Sequence, residues 1–256
     1  MSLNVHEFGP ADGLPVLCLH GVTGHALRWR VVAEALPELR LIAVDLRGHG
    51  YSPWTPPWSI DQHVADVLAV LDERGLGRVP VIGHSYGGAI AVHLARTARN
   101  RVGRLALLDP AIGLDPERML AEAEESRTND GFPDRETARA DRAANWEGIS
   151  DELVDRELDE HLVQDGDRWR YRYNPSAVIT AWSEMARPAV TPPAGVPTLL
   201  LPAKRADYVR PEWVEACEGA LGGALTVVEV DAGHSLQLER TAEVAELLRT
   251  FLGDAD

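Results

Sequence analysis

The stretch PVIGHSYGGAIAV, residues 80–92, joins a short apolar run to a helix-like sequence through the pattern G-x-S-x-G, with Ser85 at its centre. A sharp strand-to-helix turn crowds the positions beside the serine, and Gly83 and Gly87 supply the room. Such a turn presents the hydroxyl at the carboxyl edge of a parallel sheet, where ligands bind. The alternative is a serine that only caps the helix. The strand–turn–helix context favours a nucleophile.

Short apolar runs alternate with longer helical patterns along most of the chain. The runs are nearly continuous in apolar residues, as in strands buried on both faces of a parallel sheet. They are 15–20, 39–46, 79–85, 104–110, 196–203 and 224–231. Helical patterns lie between them, at 27–36, 59–75, 85–99 and 240–252. The alternation predicts an α/β fold with a mostly parallel, doubly wound sheet.

One polar block interrupts this alternation. From about residue 115 onwards no strand-like run occurs, and residues 115–186 carry 19 acidic and 9 basic side chains. A Pro-rich stretch then leads back to the next apolar run. We predict a helical insertion, or cap, at residues 113–190, and a core made of residues 1–112 and 191–256.

A serine nucleophile needs a general base and an acid that orients this base. His234 follows the apolar run 224–231 and a glycine, which places it at the same sheet edge as Ser85. The other histidines lie near the N-terminus, in turns, in helical patterns or next to Ser85 itself, and His20 is interpreted as a residue that braces its turn. His234 is therefore the predicted base.

Two aspartates at the ends of strands compete for the role of the acid. Asp207 follows the run 196–203 and gives the chain order Ser–Asp–His, whereas Asp109 closes the run 104–110. We favour Asp207, because its strand is expected next to that of His234. Asp109 would then anchor the loop that enters the insertion.

Two backbone N–H groups are candidates for an oxyanion hole. The turn HGVTG follows the first apolar run, and it is expected to direct the amide of Val22 towards the site of Ser85. The amide of Tyr86, at the start of the predicted helix after Ser85, is expected to point to the same place. Two such donors would stabilise a tetrahedral intermediate.

Four motifs in order resemble the α/β-hydrolase superfamily over nearly the whole chain. They are HGVTG (20–24), DLRGHGYS (45–52), GHSYGG (83–88), and DYVRP (207–211) followed by GHSLQLERTAEV (233–244). The resemblance implies a Ser85–Asp207–His234 triad, with Val22 and Tyr86 as oxyanion donors and a cap over the site. Epoxide hydrolases and haloalkane dehalogenases of this fold use an aspartate at the position of Ser85, which argues against both activities. Relatives commonly carry a glycine before the acid, where this chain reads PAKRAD, so the turn before Asp207 is expected to differ.

The chain has seven tryptophans, which is many for its size. Trp29, Trp146 and Trp182 lie near the oxyanion turn or in the insertion, where they would line a pocket for an apolar acyl or alcohol group. Ordinary helix packing is the alternative for each. The acidic insertion lacks the large apolar face of a lipase that docks on lipid. We predict a serine esterase that cleaves a small-to-medium carboxylic ester through an acyl-enzyme, without a metal ion or cofactor.

Two other kinds of function stay open. The Ser–Asp–His set also serves C–C bond hydrolases, lyases and cofactor-free oxidative enzymes of this fold, and nothing in the sequence separates these from an esterase. A receptor-like member that binds a ligand and turns it over slowly is less favoured, because the catalytic set is complete.

The net charge of −15 disfavours nucleic acids and anionic membrane surfaces as partners. It fits a small neutral or cationic substrate, although solubility alone explains such a charge. Cys18 and Cys217 are interpreted as reduced structural residues. The N-terminus has no signal-peptide pattern and no window approaches about 18 apolar residues, so a cytoplasmic protein is expected. The oligomeric state is left open.

Overall fold

The computed structural model describes residues 2–128 and 130–253. Its strands are β1 (Val5–Phe8), β2 (Leu14–Leu19), β3 (Leu39–Val44), β4 (Val79–His84), β5 (Val102–Leu108), β6 (Leu162–Asp165), β7 (Arg168–Tyr171), β8 (Thr198–Leu201) and β9 (Leu225–Val227). Seven of them form one sheet in the order β1-β3-β2-β4-β5-β8-β9, and β6 and β7 form a separate hairpin. Strand β1 is antiparallel to β3, and the other neighbours in the large sheet are parallel. The predicted mostly parallel α/β sheet is confirmed.

Helices cover both faces of the sheet. They are α1 (Arg30–Ala35), α2 (Ile60–Glu73), α3 (Tyr86–Thr97), α4 (Pro116–Thr128), α5 (Arg135–Asn145), α6 (Asp151–His161), α7 (Pro175–Met185), α8 (Pro211–Leu221), α9 (Leu236–Glu239) and α10 (Thr241–Gly253). Side chains of α2, α3 and α8 pack in one hydrophobic cluster, and side chains of α1 and α10 pack in another on the opposite face.

The two-sided burial explains why the strand sequences are continuously apolar. In β2, Leu17 and Leu19 face the cluster of α2 and α3, whereas Val16 and Cys18 face that of α1 and α10. All four side chains are fully buried. Cys18 and Cys217 are both free and buried, and burial raises the pKa of both thiols, so these thiols stay protonated and unreactive. Their interpretation as structural residues is confirmed.

The chain between β5 and β8 forms the interruption of the α/β alternation. It contains α4 to α7, but also the hairpin of β6 and β7, so the prediction that this block holds no strand is wrong. The two strands read LVQD and RWRY, and only Leu162 and Tyr171 among their residues are buried. A strand with so few buried side chains produces no apolar run. The turn is made at Gly166, which has a φ of 62°.

The inserted elements have a small core of their own, which also reaches the main body. Ala138, Trp146, Leu158 and Tyr171 pack together with Leu238 of α9. An isolated bridge between His49 and Tyr173 joins the insertion to the loop after β3. These contacts hold the insertion beside the carboxyl ends of the central strands. Among the described residues, no helix has both the length and the apolar character needed to cross a bilayer.

Candidate active site

Ser85 occupies a strained turn between β4 and α3. Its φ is 55° and its ψ is −121°, and its side chain makes no capping hydrogen bond to the helix. The turn requires small neighbours: a Cβ on Gly83 would lie 2.5 Å from the carbonyl oxygen of Gly87, and one on Gly87 would lie 2.3 Å from that of Leu19. A positive φ at a non-glycine residue is costly and is typical of functional sites. The serine is therefore held in a special position and does not serve as a helix cap.

The side chains of Ser85, His234 and Asp109 form a continuous chain of contacts. Ser85 Oγ lies 2.9 Å from His234 Nε2, and His234 Nδ1 lies 2.6 Å from Asp109 Oδ2. The carboxylate of Asp109 is 1% exposed, and its other oxygen accepts a hydrogen bond from the amide of Ala203. A buried acid on Nδ1 fixes the tautomer and orientation of the imidazole, so that Nε2 faces the serine.

The prediction that Asp207 orients His234 is corrected by this geometry. The Asp207 side chain is 81% exposed and pairs with Arg118 of α4, with Oδ1 2.8 Å from Nη1. Asp109, which the sequence predicts to be a loop anchor, occupies the acid position instead. It also anchors its loop, because its amide donates to the carbonyl of Leu201.

The path of the loop after β8 explains why Asp207 lies away from His234. Residues 203–205 run beside residues 230–232 and are hydrogen-bonded to them: the amide of Lys204 donates to Val230 and that of Arg205 to Ala232. A turn at Ala203–Ala206 then directs the chain outwards. Asp207 consequently emerges at the surface opposite α4. In contrast, Asp109 directly follows β5 and needs no loop to reach the site.

Two residues that the sequence reading did not assign to the site pack against His234. The ring of Tyr208 stacks on the imidazole with centroids 3.8 Å apart, and the guanidinium of Arg118 lies over the Tyr208 ring, 4.7 Å from its centroid. His84 Nε2 donates to the backbone carbonyl of His234 at 2.8 Å. Burial lowers the pKa of His84 well below its usual range, and the nearby His234 adds to this shift. The loop that carries His234 is therefore braced by a neutral imidazole.

The expected oxyanion donors lie next to Ser85. Val22 lines the same cavity as Ser85, and Tyr86 is the first residue of α3. Gly21 approaches so closely that a Cβ there would lie 2.9 Å from the Cβ of Ser85. His20 holds this turn: its Nδ1 donates to the carbonyl of Gly21 at 2.7 Å, and its Nε2 accepts from the amide of Leu46 at 2.9 Å. The bracing role predicted for His20 is confirmed, and the donor roles of Val22 and Tyr86 stay predictions.

A cavity of about 610 Å³ lies over Ser85 between the sheet edge and the inserted helices. Trp146 and Trp182 line it, as the sequence reading expects, and Trp182 donates from Nε1 to the hydroxyl of Ser126 at 2.9 Å. Trp29 does not line it: this side chain is 1% exposed and packs in the core with α1 and α10. Trp29 is an apolar residue of a short helical segment that faces the sheet, so its side chain packs in the core and does not reach the cavity. For Trp29 the alternative of helix packing is the right one.

A buried ionic cluster ties the oxyanion turn to the insertion. Glu157 of α6 accepts two hydrogen bonds from Arg28, at 2.5 and 3.0 Å, and its Oε2 lies 2.9 Å from His25 Nε2. Burial alone would raise the pKa of Glu157, but Arg28 and His25 outweigh burial and hold this pKa well below its usual range. The carboxylate is therefore charged, and the contact fixes α6 on the segment that follows Val22.

The buried histidines predict a loss of stability in mild acid. Burial lowers the pKa of His63 to about 3, and those of His20, His49, His84 and His161 also lie below the usual value. The unfolded chain binds these protons near pH 6.5 and the folded chain does not. Stability is therefore complete above about pH 6.5 and decreases as the pH falls towards the folded-state values, by about 1.4 kcal/mol per histidine between pH 7.5 and 5.5. Urea unfolding at both pH values measures this difference.

His63→Phe provides the matched control for that measurement. His63 packs edge-on against Tyr86 at 5.6 Å, and phenylalanine keeps this contact without a titrating group. The difference in unfolding free energy between pH 7.5 and 5.5 is expected to shrink by about 1.4 kcal/mol in the variant. An unchanged difference would contradict the neutral state of His63.

The chain is similar to known proteins over most of its length. The family model described as alpha/beta hydrolase fold matches residues 15–241. Lipase LipV of Mycobacterium tuberculosis (strain ATCC 25618 / H37Rv) is 40% identical over 257 residues, covering 99% of this chain and 98% of LipV. Esterase YbfF of Escherichia coli (strain K12) is 25% identical, covering 94% of this chain and 93% of YbfF.

Solved structures agree in fold. A marine microorganism esterase superimposes with a TM-score of 0.82 at 20% identity, over 98% of this chain and 99% of that one. At this identity the likeness concerns the fold alone. The family model covers most of the chain, and LipV matches nearly all of it. This protein belongs to the α/β-hydrolase-fold family.

Proposed function

We propose that this protein hydrolyses a carboxylic ester through an acyl-enzyme, with Ser85 as the nucleophile, His234 as the general base and Asp109 as the acid that orients His234. The observation that carries the proposal is the unbroken contact from Ser85 Oγ through the imidazole to the buried Asp109 carboxylate. The relatives named lipase and esterase support the same reaction class. No metal ion or cofactor takes part in the proposed mechanism.

In the first half-reaction Ser85 Oγ attacks the ester carbonyl while His234 Nε2 takes the hydroxyl proton. The oxyanion that forms accepts hydrogen bonds from the amides of Val22 and Tyr86, each of which is worth about 10²–10³ in kcat at comparable sites. His234 returns the proton to the leaving alcohol. Water then loses a proton to His234 and attacks the acyl carbonyl. The bond to Ser85 Oγ breaks, His234 returns the proton to Oγ, and the acid is released; Asp109 stabilises the imidazolium in both halves.

Several features support a small-to-medium ester rather than a lipid aggregate. Residues 113–190 are proposed to act as a cap on a core of residues 1–112 and 191–256, and the cavity under them is about 610 Å³. Within the described part of the inserted block, Leu120 is the one large apolar side chain that is exposed. A lipid-docking surface needs a contiguous apolar patch. The word lipase in the name of LipV therefore does not decide the physical form of the substrate here.

The cellular compartment and the class of partner are proposed from the cysteines and the net charge of the chain. Two buried, free thiols, Cys18 and Cys217, are consistent with a reducing compartment, and we propose the cytoplasm. The net charge of −15 supports a small-molecule substrate over nucleic acid as the partner.

A graded series of p-nitrophenyl esters tests the proposed function. We expect turnover that is highest for short and medium acyl chains and that does not rise when the longer esters form micelles. A fluorophosphonate should label one site per chain, on the peptide that contains Ser85, and labelling should abolish turnover. C–C substrates such as vinylogous diketones are assayed on the same preparation. Absence of ester turnover, combined with a ligand-induced rise in melting temperature, would favour the receptor-like alternative and overturn the proposal.

A further inference from the structure

Arg142 of α5 places a guanidinium group in the wall of the cavity that contains Ser85 and His234. The group lies over two aromatic rings, 4.2 Å from the centroid of Tyr171 and 5.0 Å from that of Trp146. Its Nε donates to the hydroxyl of Tyr171 at 3.1 Å. This is the only hydrogen bond of the side chain within residues 2–128 and 130–253. The orientation of the group is thus fixed, while its two terminal nitrogens have no acceptor in the part of the chain that the structure describes.

The other arginines around the cavity differ in having carboxylate partners. Arg28 is held by both oxygens of Glu157, and Arg205 pairs with Glu239. No described carboxylate lies within salt-bridge distance of Arg142. Burial alone would lower the pKa of Arg142, but the charge of Glu157 contributes to a net rise, so the guanidinium is charged. Glu157 acts on Arg142 only from beyond salt-bridge distance, and its oxygens lie against Arg28 and His25 instead.

The acids that face the cavity do not neutralise this cation either. Glu125 and Glu147 are exposed, and water screens them. Glu122 is half-buried, and burial followed by the charge of Glu125 raises its pKa. Tyr173 also lines the cavity near Arg142, and its hydroxyl makes no hydrogen bond among the described residues. Among the described residues, therefore, none of the carboxylates that line the cavity pairs with Arg142, and its nearest neighbours are the aromatic side chains of Tyr171 and Trp146.

A partly desolvated cation without a partner costs free energy unless an anion binds to it. A guanidinium presents parallel N–H groups that match both oxygens of a carboxylate. A group already oriented by two rings loses little conformational entropy when it binds. We propose that Arg142 binds a carboxylate on the substrate, so that the preferred ester carries a negative charge away from the scissile bond. This inference rests on the proposed ester hydrolysis, and it departs from the neutral or cationic substrate that the net charge of −15 indicates.

Two matched pairs of substrates test the inference. The carboxylate lies on the acyl group in one pair and on the alcohol in the other. In the acyl pair, mono-p-nitrophenyl adipate is compared with its methyl ester. In the alcohol pair, 4-acetoxybenzoate is compared with methyl 4-acetoxybenzoate. The measured quantity is the ratio of kcat/KM for the charged over the neutral member. We expect this ratio to fall by on the order of tenfold or more in Arg142→Met in at least one pair, because charge-assisted hydrogen bonds are lost.

Arg142→Lys and Arg139→Met are the companion variants. Lysine keeps the charge without the forked geometry, so the ratio is expected to fall several-fold, less than with methionine. Arg139 lies one turn earlier on α5, is paired with Asp151 and Asp155, and does not line the cavity, so its replacement should leave both ratios unchanged. Melting temperatures show which variants fold. Ratios that stay within about threefold of wild type in Arg142→Met, or in Arg142→Lys if the methionine variant does not fold, overturn the inference.

Binding without turnover separates this inference from the proposed function. In the Ser85→Ala background, calorimetric titration gives Kd for 4-acetoxybenzoate and for mono-p-nitrophenyl adipate. We expect at least one of them to bind at least tenfold more weakly once Arg142→Met is added. If wild type cleaves none of the four esters while this difference is found, the proposed function fails and the anion site stands. If the neutral esters are cleaved and the charged compounds bind equally with and without Arg142, only the anion site fails.

Discussion

Replacing Ser85 by alanine is expected to lower kcat for p-nitrophenyl ester hydrolysis by on the order of 10⁴ or more, without lowering the melting temperature. The loss in kcat follows because Oγ is the only group of the turn that faces His234 Nε2, at 2.9 Å. Stability should not fall, since the side chain makes no capping hydrogen bond to α3. Initial rates and thermal unfolding measured on one preparation give both quantities.

Ser59 is the matched control, because it stands at the same place relative to its own helix. Its hydroxyl accepts a hydrogen bond from the amide of Gln62 and caps α2. Ser59→Ala should therefore cost about 1 kcal/mol of unfolding free energy and leave kcat unchanged. A Ser85→Ala protein that keeps its activity, or that loses activity only because it unfolds, would contradict the nucleophile assignment.

The parts of the fold that the sequence predicts are those in which burial determines residue type. The central strands read as apolar runs because helices cover both of their faces, as Leu17 and Val16 illustrate on opposite sides of β2. Strand β1 is not predicted, because its four residues VHEF are only partly buried or exposed and form no apolar run. The hairpin of β6 and β7 is not predicted for the same reason. At these edges of the fold, backbone pairing and not side-chain burial defines the strand, and pairing leaves little trace in a single sequence.

The residues of the candidate site also differ in how well the sequence predicts them. Ser85 and His234 are predictable because the turn geometry demands small residues around the serine, and because a histidine after the last strand reaches the same edge. The acid is harder, since β5 and β8 are neighbours and Asp109 and Asp207 both follow their carboxyl ends. The choice depends on the path of a few loop residues. One signal favoured Asp109: it follows its strand directly, whereas the absence of a glycine in PAKRAD leaves nothing to turn Asp207 inwards.

Replacing Asp109 by asparagine is therefore expected to lower kcat by about 10⁴, by analogy with the same change in serine protease triads. The asparagine oxygen can keep the hydrogen bond from the amide of Ala203, which Asp109 Oδ1 accepts at 3.0 Å. The amide nitrogen then faces His234 Nδ1, which must become the acceptor. The ring proton moves to Nε2, where it prevents the imidazole from taking the proton of Ser85.

Asp207→Asn is the matched comparison. Its carboxylate is exposed and pairs with Arg118, and exposed ion pairs contribute about 0–1 kcal/mol. Because Arg118 also lies over Tyr208, which stacks on His234, a change of a few-fold in kcat is expected and nothing larger. Single-turnover and steady-state rates with one p-nitrophenyl ester measure both variants. When Asp109→Asn is combined with Ser85→Ala, the two losses in kcat should not add, because both changes remove the same proton transfer. A large loss in Asp207→Asn with a nearly active Asp109→Asn would return the acid to the loop after β8 and require that loop to close on His234 during turnover.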